Sequence, residues 1–276
     1  MFRFSVCSEI FQGWPFADAV RAAVGAGFRG MELACFTLGE DATEVEAARR
    51  REYRTVLESE GLEYVGLHWL LTAPRSLHVT TPDRARRKAS WDYVRRLIDL
   101  SSDLGPDGVM VFGSPKQRST TGGITPGEAA RYFAEGMAGV ADHAAGRGVM
   151  LLIEALSPDQ TDVITSLAEA AAMVREIGHP NVRTMFDTHN AVRETEAHDR
   201  LVDCYFDLIR HIHINERDGK HPGRGDYDFL PVMRTLDARR YGGWVSVEAF
   251  DFSFGAETIM AETLRHMHGV IGRIAR

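Results

Sequence analysis

Eight times along the 276 residues, an apolar run of strand length is followed by a longer stretch with helical periodicity. The strand candidates are 2–7, 30–34, 64–68, 108–112, 149–154, 182–187, 209–214 and 244–248. Helix candidates lie near 16–26, 43–60, 83–104, 127–146, 166–177, 196–207, 229–239 and 257–274. Each unit takes about 34 residues, the length that one strand, one helix and two short loops require in a parallel α/β protein. Small turns punctuate the joints, as in GAGFRGMEL, SEGLEYVGL, AGRGVMLLI and RYGGWVSVE, where glycine suits the helix C-cap. Runs such as VMLLI and VRTMF are almost continuously apolar, so they belong to strands covered on both faces. No strand is followed by the glycine-rich phosphate loops of open nucleotide-binding sheets. The expected architecture is therefore an α/β chain forming one closed (β/α)8 TIM barrel, with residues 1–276 as a single domain.

Composition narrows the function. The chain is 44% apolar and 26% charged with a formal net charge of −7, which argues against nucleic-acid and anionic-membrane partners. It contains no apolar run of membrane-spanning length, and its first residues lack the apolar core of a secretory signal, so a cytoplasmic protein is expected. Its three cysteines, Cys7, Cys35 and Cys204, are widely spaced and suit neither a disulfide framework nor a thiolate zinc site. Small-molecule chemistry is the class that remains.

In a (β/α)8 barrel the active site lies at the C-terminal face, so a polar residue closing an apolar strand carries unusual weight. Four consecutive strands close this way, with Glu154, Asp187, His213 and Glu248. Their intervals of 33, 26 and 35 residues are each about one βα unit, so closure sets the four side chains side by side. Alternation along the strand turns Ser246 and Glu248 inward while Val245 and Val247 face the helices, and it turns His211 and His213 inward as well. Three crowded carboxylates repel one another unless a cation neutralises them or some are protonated. One divalent metal ion meets that need, and oxygen-rich ligation with a single imidazole suits Mn²⁺, Mg²⁺ or Co²⁺ better than a structural zinc.

These residues and their surroundings resemble the sugar phosphate isomerase/epimerase group of xylose isomerase-like barrels, which includes ketose 3-epimerases and hydroxypyruvate isomerases. The resemblance rests on EIFQGW, on IEAL with TDVI downstream, on FDTHN, HIHIN and HPGRGDYDF, and on the closing YGGWVSVEAFDF. It implies Glu154, Asp187, His213 and Glu248 as ligands of one metal, most simply Mn²⁺, and Glu154 and Glu248 also as the acid/base pair. The implied reaction removes a proton beside a sugar carbonyl through an enediolate, and the implied partner is a small sugar substrate. Relatives of this kind are often homodimers or homotetramers. The 3-epimerase pattern has Glu where this chain has Gln160, Arg where it has Gly219, and His where it has Asn190, with Arg217 and His189 standing nearby as substitutes.

Further substrate-binding candidates occupy the early loops: Glu9 after the first strand, His68 for a sugar hydroxyl, Lys116 for an anionic oxygen, and Trp14 or Trp69 for stacking on a sugar face. Glu32 reads as structural. The glycine-rich, basic stretch from Arg217 to Gly225 is a candidate phosphate loop, against the plainer reading of a covering loop held by its own turns. The basic run Arg84, Arg86, Arg87, Lys88 reads as a solvated helix face. Two other activities share these residue types. A dehydratase or lyase acting on a keto-sugar or inosose would use the same first step. A repair nuclease resembling endonuclease IV would need more ligands and a basic groove.

Overall fold

β-Branched and large apolar residues at 3.3 Å spacing form the strands β1 (Arg3–Cys7), β2 (Gly30–Ala34), β3 (Glu63–His68), β4 (Val109–Phe112), β5 (Met150–Ile153), β6 (Val182–Asp187), β7 (Ile209–Ile214) and β8 (Trp244–Val247). The computed structural model describes residues 2–274, and in it each strand pairs in parallel with the next and β8 returns to β1, closing the barrel. Register brings Asp187 opposite His213 and His213 opposite Ser246. Outside the strands run α1 (Phe16–Ala26), α2 (Ala47–Glu60), α3 (Arg84–Leu104), the short α4 (Pro115–Arg118), α5 (Pro126–Gly146), α6 (Leu167–Ile177), α7 (His198–Tyr205), α8 (Leu230–Ala238) and α9 (Ala256–Gly272). Among the described residues no helix is long and apolar enough to cross a membrane.

Local chemistry sets the helix limits. Thr125 and Glu128 make a reciprocal capping box at the start of α5, with Pro126 in its first turn, while Asp83 accepts the N–H groups of Ala85 and Arg86 at the start of α3. Gly27, Gly61 and Gly178 end α1, α2 and α6 in the left-handed conformation. The helix expected over 43–60 is broken. Asp41 draws the Thr43 N–H into a short 3-10 turn over Ala42–Glu44, and Val45 and Glu46 are extended before α2 begins. The helix expected over 196–207 likewise shortens to α7 and a 3-10 turn at Phe206–Leu208.

Two apolar layers follow from strand alternation. Val245, Val247, Ile212 and Ile214 join the large core between strands and helices, whereas Val65, Val109, Val111, Leu152 and Met185 fill the barrel interior. Each such side chain contributes about 1.5–3 kcal/mol when fully buried. Nearer the mouth the interior turns polar, beginning with a hydrogen bond between Ser5 and Ser246. The barrel wall is tightest at Gly66, where an added Cβ would lie 2.1 Å from the Val109 carbonyl oxygen. Gly66→Ala is therefore expected to destabilise by about 2 kcal/mol and to lower Tm by roughly 4–8 °C. Gly139→Ala, on an open face of α5, is expected to stabilise by about 0.5–1 kcal/mol. Thermal unfolding of both variants tests the packing, and equal shifts of the same sign would contradict it.

Candidate active site

Glu154 and Glu248 follow directly on β5 and β8, Asp187 ends β6, and His213 lies in β7 with its side chain turned inward. One ligand atom from each of these four buried residues lies within 4.8 Å of the others. Asp187 Oδ1 accepts the backbone N–H groups of His189 at 2.7 Å and Asn190 at 2.8 Å. Its Oδ2 is buried and has no hydrogen-bond partner among the described residues. Glu248 is held at both oxygens: Oε1 accepts the Trp69 indole N–H at 2.9 Å, and Oε2 lies 3.1 Å from His213 Nδ1. Glu154 Oε1 accepts the Asn190 side-chain amide at 2.8 Å.

Beneath this group lies Glu32, which the sequence alone marks as structural. Its carboxylate meets His211 Nε2 at 2.7 Å and His213 Nε2 at 3.1 Å, and it stands 3.4 Å from His68 Nδ1. Burial would raise the pKa of Glu32, but His213, His211 and His68 together hold it well below the usual carboxylate range. His68 also meets Glu9 Oε2 at 3.0 Å. Burial would lower the pKa of His68, and the Glu9 and Glu32 carboxylates more than reverse this, holding it at about 8. Glu9 itself is raised by burial, against the pull of His68.

The two outer glutamates move in opposite directions. Burial, with the Glu248 and Asp187 charges added, pushes Glu154 up to about 8. Glu248 is also buried, yet His213 draws it below its ordinary value.

A cavity of about 60 Å³ opens over the cluster. His68, Trp69, Glu154, Gln160, Asn190 and Glu248 supply its polar wall, and Val111, Leu156 and Phe250 its apolar one. Trp69 reaches it from a left-handed backbone (φ 51°) and packs edge-on against Phe36 and Phe250. Such a conformation is rare for a bulky residue and is associated with functional sites.

Of the further sequence candidates, His68 and Glu9 join the polar network, and His68 lines the cavity. Trp69 lines it too, whereas Lys116, Trp14, His189 and Arg217 are not among its lining residues. Lys116 is exposed on α4. Trp14 is 39% exposed on a neighbouring face, packed edge-on against Phe11. His189 turns its Nδ1 to the Arg217 carbonyl, and the exposed Arg217 guanidinium lies 5.9 Å from the Tyr227 ring.

The loop after β7 follows the plainer of its two readings. His221 and Arg224 pair with Glu262 on α9, Lys220 pairs with Asp218, and buried Glu216 accepts the N–H groups of Gly223 and Tyr227. Sequence reasoning passed over Arg118. This buried arginine donates to the carbonyls of Phe112, Glu154 and Ile164, and so fixes the backbone that carries Glu154. Its only sequence signal is a charged residue within a tight turn two positions beyond Lys116.

A closed parallel barrel with buried carboxylates and imidazoles at the C-terminal end of its strands has the layout of a (β/α)8 enzyme. The chain belongs to the xylose isomerase-like TIM barrel family, whose profile matches residues 20–269. It is 27% identical over 198 residues to the ketose 3-epimerase of Arthrobacter globiformis, a match covering 70% of this chain and 64%, just under two thirds, of that enzyme. It is 26% identical over 259 residues to the 2-oxo-tetronate isomerase of Pectobacterium atrosepticum, covering 87% of this chain and 88% of the relative. The crystal structure of D-psicose 3-epimerase with D-tagatose from Clostridium cellulolyticum H10 superposes with a TM-score of 0.85 at 18% identity, covering 99% of each chain, which shows the shared fold. The named relatives are epimerases and isomerases.

The raised pKa of Glu154 has a thermodynamic consequence in protein freed of metal by a chelator. A carboxyl with a higher pKa in the folded than in the unfolded state stabilises the fold below the unfolded pKa, about 4.3, and loses that contribution as pH rises through the folded value of about 8. Tm of the chelated protein is thus expected to fall between about pH 5 and pH 8. Glu154→Gln, which cannot ionise, is expected to flatten part of that fall, and identical slopes for the two proteins would contradict the raised pKa.

Proposed function

We propose that this chain is a divalent-metal-dependent enzyme that isomerises or epimerises a sugar, sugar phosphate or sugar acid by moving a proton next to its carbonyl through an enediolate. The observation that carries this reading is the convergence of Glu154, Asp187, His213 and Glu248 around a buried Asp187 oxygen that no group among the described residues satisfies. The residues fit a cation. Three carboxylates beside one imidazole are a donor set for Mn²⁺, Mg²⁺ or Co²⁺, and Asp187 Oδ2, left bare while Oδ1 takes two N–H groups, suits a ligand atom. A cation held there would offset the repulsion among the carboxylates and draw electron density from the substrate carbonyl, acidifying the neighbouring C–H.

The chain's own groups supply the rest. Glu32 accepts from His213 Nε2, which fixes the imidazole tautomer and leaves the Nδ1 lone pair facing Asp187 and Glu248. Glu248 removes a proton from one face of the substrate carbon, and Glu154 returns one from the other face, which inverts that carbon. Return to the neighbouring carbon gives isomerisation instead. Trp69 and Asn190 each donate one hydrogen bond to these carboxyl groups and hold them against rotation. His68, fixed between Glu9 and Glu32, forms part of the cavity wall against which the substrate would pack.

Two measurements test this. Solvent deuterium incorporation, followed by proton NMR over a panel of ketoses, ketose phosphates and keto acids with Mn²⁺ present, is expected for at least one compound. It should fall by about 10²–10⁴-fold in Glu248→Gln. Exchange that survives in both Glu248→Gln and Glu154→Gln would remove the acid/base assignment. In the second, Mn²⁺ at about 100 times its Kd is expected to raise the Tm of the wild-type protein by roughly 5–10 °C. Asp187→Ala should abolish the rise, and an equal rise in that variant would place the cation elsewhere.

A further inference from the structure

A thiol, a carboxyl group and an imidazole meet inside the barrel and share no member with the cluster of Glu154, Asp187, His213 and Glu248. Cys7 ends β1, Glu9 lies in the 3-10 turn over Ser8–Phe11 that follows it, and His68 ends β3, two strands away. All three are at most 1% exposed, and one donor atom from each lies within 4.8 Å of the others. Two of their polar atoms are orphaned. Glu9 Oε2 pairs with His68 Nε2 at 3.0 Å, while Glu9 Oε1 and His68 Nδ1 are buried without a hydrogen-bond partner among the described residues. Buried polar atoms are seldom left bare, so these two mark a place where something else is accommodated.

Cys7 has a second set of neighbours, Glu32 and His213, at a similar separation. That set is closed: Glu32 holds His211 and His213, and the two His213 nitrogens are engaged by Glu32 and Glu248. The unused donor atoms lie with Glu9 and His68. A divalent ion bound by the Cys7 thiolate, the Glu9 carboxylate and a neutral His68 makes a group of zero net charge, which lowers the cost of carrying an ion inside the barrel. Sulfur, nitrogen and oxygen together suit Zn²⁺, with a water molecule completing the tetrahedron at sites that have three protein ligands. The oxygen-rich cluster nearby suits harder ions. With an ion on the Glu9 side of the ring, His68 Nδ1 is left facing Glu32 at 3.4 Å, and a carboxylate behind a ligating imidazole is the usual support for such a ligand.

We propose that Cys7, Glu9 and His68 form a second metal site, for Zn²⁺ or a comparably soft divalent ion, that ties β1 to β3 across the interior of the barrel. The site goes beyond the proton-transfer reading and does not depend on it. One cysteine with an acidic residue two positions on is unlike the paired cysteines of a thiolate zinc motif, and only closure of the barrel brings His68 to them.

Co²⁺ reports the two sites separately, because a thiolate ligand gives it a near-ultraviolet charge-transfer band that oxygen and nitrogen ligands do not. Full-length protein is stripped with a chelator, carries Cys204→Ser to remove the exposed thiol, and is titrated with Co²⁺ alone, followed by absorbance and by metal content after desalting. About two Co²⁺ per chain are expected, with the band present. Cys7→Ser should abolish the band and halve the bound cobalt, whereas Asp187→Ala should halve the bound cobalt and keep the band. One equivalent of Zn²⁺ should extinguish the band, and excess Mg²⁺ should leave it unchanged. Should Cys7→Ser fail to fold, Glu9→Gln, which keeps the size of the side chain and gives up its charge, should lose the same band.

A titration without the band, or a band that survives both Cys7→Ser and Glu9→Gln, would overturn the second site whatever the other cluster binds. A band that Cys7→Ser removes, in a protein whose cobalt content Asp187→Ala leaves unchanged, would uphold the second site and instead remove the cation from the cluster of Glu154, Asp187, His213 and Glu248.

Discussion

Glu32 is a fully buried carboxylate inside the barrel, and the site above it is arranged around the three imidazoles that keep it charged. An isolated ion at such a position would take up a proton, because desolvation costs more than the ionised form can recover alone. Here His211, His213 and His68 converge on it from two different strands. The arrangement works in both directions. Those histidines hold Glu32 in its ionised form, and Glu32 in turn fixes the tautomer and ring orientation of His213, which faces Asp187 and Glu248, and steadies His68 at the cavity. Removing one member of such a buried set leaves the others uncompensated, at a cost of about 3–5 kcal/mol when a charge is stranded. The residue is therefore structural in a specific sense, since what it structures is the chemistry.

The contrast between Glu154 and Glu248 follows from the same geometry. Both are buried near Asp187, but only Glu248 has His213 at hydrogen-bond distance, and its second oxygen receives the Trp69 indole. Glu154 receives only a neutral amide, and the Arg118 charge behind it is directed at main-chain carbonyls and only partly offsets the neighbouring carboxylates. Two residues of one type are thus given opposite tendencies toward a proton by their neighbours, the pattern expected of a pair that exchanges one.

Much of this was legible in the order of residues. Eight strand-then-helix units of about 34 residues define a parallel barrel, and period-two alternation tells which side of each strand faces inward, so Glu154, Asp187, His213 and Glu248 could be placed at one mouth without any coordinates. Loops have no such period. Nothing in the local sequence says that Trp69 takes a left-handed backbone and reaches Glu248 across 179 positions, or that Arg118 turns inward while Lys116, two residues earlier, stays in solvent. Glu32 was readable as an inward strand residue, but its partners His68 and His211 come from other strands, and only closure of the barrel shows that all three histidines share one carboxylate. The Gln160 and Asn190 amides were visible as departures from a familiar pattern. Their meaning depends on a contact between two loops.

The loop after β7 shows why basic composition is a poor guide to anion binding. Its cations are abundant in sequence, yet three of them meet carboxylates of the protein: Glu262 on α9 takes His221 and Arg224, and Asp218 takes Lys220, while the exposed Arg217 lies near the Tyr227 ring. The backbone of the same loop is wrapped on Glu216, whose oxygens accept two of its N–H groups and whose Oε2 would lie 2.5 Å from a Cβ on Gly225. A side chain there would displace Glu216, so the glycine serves the fold of the loop itself. The positive charge is used to fasten the loop to the outer helix, and the mouth keeps the negative character that its buried carboxylates impose. A centre of that sign concentrates cations and tolerates neutral hydroxyl compounds, whereas an anionic tail gains entry only where a cation has been built into the wall.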